Sequence, residues 1–294
     1  MMMRRVFILC GALCVFALGA FELRDGGALR ALYRDARHEL SDWNLARRLS
    51  TVDCPAKAFV ILAIGQSNAG NHLGSRSVTP NGAQTFASFR GRCVPLNDPV
   101  PGATGDLGSL WPMVAGIVQR QTGIPVVVIA GAAGGSSVAD WNEDVRRIRS
   151  RVVRSAQAAV AANLSPDAAI WIQGESDARE TTMQAYEAGL RQIIASIDAE
   201  ITAAQAKAGK GRKGPEWIIS RTSRCAELRA TGSEAVREAQ EHVASTTRNA
   251  RLGPNTDALG DEFRRDGCHF NDAGRSVLAE QLAALLLPKA KSTQ

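Results

Sequence analysis

Uninterrupted apolar runs alternate with amphipathic stretches along most of this chain. Phe59-Val60-Ile61-Leu62-Ala63-Ile64 is apolar throughout, the pattern of a strand covered on both faces, as in a parallel sheet. Val126–Ala130 and Ala168–Gln173 repeat it, Glu216–Ser220 predicts a fourth strand, and Arg251-Leu252 hints at a fifth. Helical periodicity runs through Leu110–Gln121, Val145–Ala162, Met183–Ala208, Ser233–Thr246 and Ala273–Leu287. Ala, Arg, Glu and Gln dominate those stretches, and all are good helix formers. There is no internal repeat. Strands and helices that alternate over 294 residues, 45% of them hydrophobic, predict one α/β domain with an ample core.

The first three strands all run into polar turns built on small residues. These are Gly65-Gln66-Ser67-Asn68-Ala69-Gly70, then Gly131-Ala132-Ala133-Gly134-Gly135-Ser136-Ser137, then Gly174-Glu175-Ser176-Asp177. A late loop, Asp266-Gly267-Cys268-His269, precedes Asn271-Asp272-Ala273-Gly274 and the last helix. Open α/β sheets bind ligands at the carboxyl ends of their strands, so one edge can gather all four segments. Glycines on both sides of Gln66-Ser67-Asn68 permit a tight exit from the strand. A helix following there would aim its free N–H groups at a bound group.

Ser67 is the candidate nucleophile, and a serine hydroxyl needs a base to take its proton. Of the four histidines, His38, His72, His242 and His269, only His269 has a carboxylate three residues before it, Asp266. That spacing lets the carboxylate fix the tautomer and stabilise the imidazolium. His72 is assigned to the rim of the site, while His38 and His242 fall in polar helical stretches and read as solvated. Acyl transfer also needs donors for the oxyanion. The Ser67 N–H is one, and Gly134 or Gly135 supplies a second.

Gly65-Gln66-Ser67-Asn68, Gly134-Gly135-Ser136 with Trp141, Gln173-Gly174-Glu175-Ser176-Asp177 and Asp266-x-x-His269 occur in that order. Together they resemble the sialate O-acetylesterase-like, carbohydrate acetylesterase branch of the SGNH hydrolase superfamily, over roughly residues 57–287. The resemblance implies a three-layer α/β/α sandwich with a mainly parallel central sheet, and ester hydrolysis without a metal or other cofactor. It implies a Ser67, Asp266, His269 triad and favours Gly134 of the glycine pair. The Gly-x-Asn-Asp motif of the wider superfamily is absent, so Gln173 is expected to supply the third oxyanion donor. Gln66, Asn68, Glu175 and Trp141 are the candidate substrate contacts. For Glu175, Asp177 and Asn68 the alternative is loop-bracing, and for Trp141 it is packing at a helix start.

Residues 1–21 carry a basic head, Arg4-Arg5, and a 16-residue apolar stretch from Val6 to Phe21. This is a signal peptide cleaved before Ala20 or a retained membrane anchor through residues 6–21. Residues 22–53 read as a helical stalk or cap, 54–288 as the esterase domain, and 289–294 as a tail. Either fate of the leader places the domain outside the cytoplasm, in the periplasm or beyond. Four cysteines then remain, and we expect Cys54–Cys93 and Cys225–Cys268 among the three pairings they allow. The second bridge would brace the loop bearing Asp266 and His269.

The net charge of +6 is modest, and part of it lies in the leader and in the basic loop at 207–215. That loop lacks the Gly-Lys-[Ser/Thr] ending of a phosphate-binding loop. Aromatic content of 5% with no aromatic-interleaved basic stripe argues against nucleic acid, and no His/Cys/carboxylate spacing suggests a metal. The loops 74–108 and 221–232 are expected to set specificity. The chain reads as an exported serine esterase that deacylates a carbohydrate. An O-acyltransferase with the same site and a catalytically silent glycan-binding protein are the alternatives.

Overall fold

The computed structural model describes residues 48–144, 147–211, 213–225, 228 and 231–292. The leader and most of the stalk segment lie outside the described residues. In chain order the strands are β1 (Phe59–Gly65), β2 (Thr85–Phe89), β3 (Arg92–Pro95), β4 (Val126–Ala130), β5 (Ala168–Ile172), β6 (Glu216–Arg221) and β7 (Ala250–Asn255). The helices are α1 (Trp111–Thr122), α2 (Val138–Glu143), α3 (Ile148–Ala161), α4 (Met183–Lys207), α5 (Glu234–Thr246) and α6 (Asp272–Lys291). The strands form one sheet in the order β3-β2-β4-β1-β5-β6-β7, parallel except for the β2–β3 pair.

All seven residues of β1 are buried, because helices cover both faces of the sheet. Phe59, Ile61 and Ala63 point into one core with Trp111 and Val114 of α1 and Leu278, Leu282 and Leu286 of α6. Val60, Leu62 and Ile64 point into the other, with Val152 of α3, Tyr186, Leu190 and Ile193 of α4, and Val236 of α5. The three-layer α/β/α sandwich is therefore present. β2 and β4 lie on one side of β1 and β5, β6 and β7 on the other. β1 thus marks the point where the winding reverses, and open sheets bind ligands at the carboxyl end of the strand at such a point.

The five expected strands and five long helices are found, with two differences in extent. The final helix runs to Lys291, into the segment assigned to a tail, and Val52 of the stalk segment bridges Cys93 at the sheet edge. Three elements escape the periodicity. β2 and β3 form a hairpin inside what reads as the loop 74–108. Its two-residue turn, Arg90-Gly91, has positive φ at both positions (51° and 76°), where Asn-Gly is the usual signal. The third, α2, has only six residues, although Ser137 and Asp140 form a capping box at its start.

Gly65 ends β1 with φ +137°, and a Cβ there would lie 2.0 Å from the Ile172 carbonyl oxygen on β5. Both the conformation and the contact exclude a side chain. Gly65→Ala is expected to destabilise the fold by at least about 3 kcal/mol, read as a lower urea midpoint; an unchanged midpoint would contradict this account of the strand exit.

Candidate active site

Ser67 follows β1 directly and opens a single 3-10 turn, Ser67–Ala69, closed by bonds from the Ala69 N–H to the Gln66 carbonyl and from the Gly70 N–H to the Ser67 carbonyl. The helix expected after the serine is thus three residues long, too short for a helix dipole to act on the site. Ser67 is 5% exposed. Among the described residues neither its N–H nor its Oγ has a hydrogen-bond partner.

The late loop is built around Asp266. Its Oδ2 lies 2.8 Å from His269 Nδ1, while Oδ1 accepts the backbone N–H groups of His269 (2.7 Å) and Cys268 (3.1 Å). Partial burial pushes the Asp266 carboxyl up, but the His269 backbone and ring bonds outweigh it and hold the carboxyl below its ordinary value. The side chain therefore stays an ionised partner for the imidazole. Arg264 donates to the carbonyls of Cys268, Thr256 and Leu259, and its guanidinium sits 4.4 Å from the Phe270 ring centroid. Cys225–Cys268 ties the same loop to the segment after β6, and Cys54–Cys93 closes the far edge of the sheet. Both expected disulfides are present.

Asn68 joins the two halves of the site. It is fully buried, and its Nδ2 donates to Glu175 Oε1 (2.6 Å) and to the Cys268 carbonyl (3.2 Å). Its Oδ1 accepts the Phe270 N–H (3.3 Å). The residues on either side of His269 are thus fastened to the side chain next to Ser67, some 200 positions away in sequence. Glu175 is held only through Oε1; its Oε2 is buried without a partner, and burial raises its pKa despite the Asn68 bond.

All four candidate substrate contacts are buried. Asn68 and Glu175 form the clamp just described. Gln66 Oε1 accepts from Gln173 Nε2, from the Gly174 N–H and from the Ser176 N–H, which fixes the turn after β5. Trp141 is 0% exposed, donates Nε1–H to Ser136 Oγ and packs edge-on against Trp171. It lies in the core, in keeping with the packing alternative. Gln173 is also 0% exposed. Its amide donates to Gln66 Oε1, the Ser136 carbonyl and Asp177 Oδ2, and Tyr186 donates to its Oε1. Those acceptors outnumber its two N–H bonds, so none is left for an oxyanion. Burial raises the Asp177 pKa, opposed by bonds from Gln173, Thr181 and the Val138 N–H, and that carboxyl anchors α2.

The glycine pair divides. The Gly134 N–H donates to Thr104 Oγ1 at 2.7 Å, while the Gly135 N–H has no partner among the described residues. Thr104 Oγ1 in turn lies 3.1 Å from His72 Nε2, and the His72 ring stacks on His269 with centroids 5.9 Å apart. His72 therefore stands inside the site. No spacing in the sequence pointed to Thr104 or Arg264. The described residues hold no cluster of His, Cys, Asp and Glu able to bind a metal.

A model of the family "Carbohydrate esterase, sialic acid-specific acetylesterase" matches residues 102–288, more than half of the chain. The chain belongs to that family. It is accordingly a carboxylic ester hydrolase directed at carbohydrates. The matched span includes Gly134, Gln173, Asp266 and His269, while Ser67 precedes it. No curated protein matches the sequence. Among solved structures, a protein from Arabidopsis thaliana shares 16% identity over 80% of this chain and 99% of its own, with a TM-score of 0.63. NanS shares 15% identity over 81% and 98%, with a TM-score of 0.55. A carbohydrate acetylesterase from Xanthomonas citri shares 16% identity over 80% and 56%, with a TM-score of 0.51. At such identities the likeness establishes the shared fold.

Two outcomes follow from the clamp. A carboxyl whose pKa is raised on folding contributes stability that is present below its unfolded value, about 4.3 for Glu, and is lost as pH rises through the folded value. Glu175→Gln keeps an oxygen for Asn68 and removes the buried charge. The variant's melting temperature should gain on wild type as pH rises, and parallel curves would refute the assignment. Opening the second disulfide with Cys225→Ala should cost about 2–4 kcal/mol and lower turnover at least about tenfold by loosening the His269 loop; unchanged turnover in a folded variant would show that the bridge does not position the base.

Proposed function

We propose that this esterase removes an acetyl or other short acyl group from a carbohydrate hydroxyl through a serine acyl-enzyme. The observation that carries the reading is the double fastening of the loop bearing His269 to Asn68, the residue after Ser67, with His269 oriented by Asp266 and Ser67 without a hydrogen-bond partner among the described residues. His269 Nε2 takes the Ser67 proton as Oγ attacks the acyl carbonyl, and Asp266 stays ionised to stabilise the imidazolium. The Ser67 N–H and the Gly134–Gly135 turn receive the oxyanion, with the Gly135 N–H unpartnered among the described residues. Such donors are worth roughly 10²–10³ in rate each. His269 then returns the proton to the departing sugar oxygen. Water, deprotonated by the same imidazole, attacks the acyl-enzyme, and acetate leaves.

Two disulfides fit an oxidising compartment, and with the basic, apolar leader they support an exported enzyme. No helix among the described residues is long and apolar enough to cross a membrane. The chemistry is tested by acetate release from a panel of acetylated sugars and aryl acetates. Ser67→Ala should lose on the order of 10⁴-fold in kcat, whereas equal rates for the two proteins would rule out Ser67 as nucleophile.

A further inference from the structure

His72 is a second imidazole in the site, and the triad chemistry has no use for it. Its place is built. A Cβ on Gly134 would lie 2.9 Å from His72 Nε2, one on Gly105 would lie 2.9 Å from its Cδ2, and one on Gly70 would lie 3.3 Å from its Cδ2. Three glycines from three separate loops thus leave room for this ring. The preceding residue, Asn71, is locked by bonds to the Val100 and Ala103 carbonyls and from the Val100 N–H.

Thr104 Oγ1 lies between the Gly134 amide and the His72 ring. The Gly134 amide can only donate, so Thr104 Oγ1 accepts from it. With its own proton directed at His72 Nε2, 3.1 Å away, Thr104 would fix His72 as the neutral tautomer with its proton on Nδ1, and this direction is part of what is proposed. From this geometry we propose that His72 is a positioning residue: as a neutral imidazole it orients the Thr104 hydroxyl, which holds the Gly134–Gly135 oxyanion turn, and its face supports the His269 ring. The inference rests on the serine esterase reading above.

Neutrality matters because of what surrounds the ring. His269 faces it in the stack, Arg265 contributes a further positive charge, and Asp106 is the carboxylate that opposes them. Burial, then His269 and Arg265, lowers the His72 pKa. A proton on His72 would reverse its bond to Thr104. It would also set a cation beside His269, which must itself become cationic as Ser67 attacks. The active form therefore has both imidazoles neutral, and a charge on the His269 side opposes a proton on His72.

The test uses 4-nitrophenyl acetate and the full chain. Thr104→Val and His72→Ala should each lower kcat about tenfold with KM changed less than about twofold. The double variant should be no slower than the slower single, because both break one chain of bonds. Thr104→Ser, which keeps the hydroxyl, should recover most of the loss. The acid limb of kcat/KM in the wild type should steepen toward two protons while circular dichroism shows a folded chain. In His72→Gln, which keeps an acceptor for Thr104 but cannot titrate, it should follow one proton. Wild-type kcat in Thr104→Val, an additive double variant, or acid limbs of the same shape in the wild type and His72→Gln would each overturn the proposal. If His72→Ala does not fold, Thr104→Val and His72→Gln carry the same readouts. Ser67→Ala and His269→Ala separate the two failures: if they stay active, the serine esterase reading itself falls.

Discussion

The geometry of this site depends on one buried amide. Asn68 sits where water cannot reach, so each of its hydrogen-bonding positions must find a protein partner or carry an uncompensated desolvation penalty of about 1–3 kcal/mol. Glu175 and the Cys268 carbonyl take its two N–H bonds, and the Phe270 N–H takes its oxygen. The turn that carries Ser67 and the loop that carries His269 are fastened to each other through that amide. Arg264, the Cys225–Cys268 bridge and Asp266 then limit what the loop can do once it is docked.

Most of the polar residues in the shared motifs belong to the support of the site. Gln66, Gln173, Asp177, Tyr186 and Gln240 form a continuous buried network beneath the serine turn, with Tyr186 and Gln240 donating to Gln173 and Gln173 donating to Gln66 and Asp177. Bonds in a low-dielectric interior are electrostatically strong, and a fully satisfied network fixes one arrangement. Held dipoles suit acyl transfer, because donors that do not have to reorganise stabilise an oxyanion best. His72 and Thr104 extend the same logic to the glycine turn on the other side of the serine.

Much of the architecture was legible in the sequence because burial on both faces leaves an unbroken apolar run. Phe59–Ile64, Val126–Ala130 and Ala168–Ile172 could be little else, and the long helices carried their own periodicity. The β2–β3 hairpin was hidden because Arg90 occupies a turn position where Asn or Asp is the recognisable choice. At the site, Asp266 and His269 were legible because a carboxylate three residues before a histidine orients it within one loop. The roles of Gln173 and Trp141 were not. A glutamine at the end of a strand has the same chemistry whether its amide faces substrate or core, and only the packing of β5 against α4 and the β1 turn turns it inward.

By itself the sequence determined the alternation of strands and helices, the chemical inventory and the local Asp266–His269 unit, since these rest on periodicity and on contacts within a few residues. The tertiary structure decided which groups face the crevice: it buried Trp141 and Gln173, separated the Gly134 amide from that of Gly135, and stacked His72 on His269. Those outcomes depend on side chains brought together from distant segments, where the direction of a single hydrogen bond is set by whichever donor or acceptor the fold places opposite it.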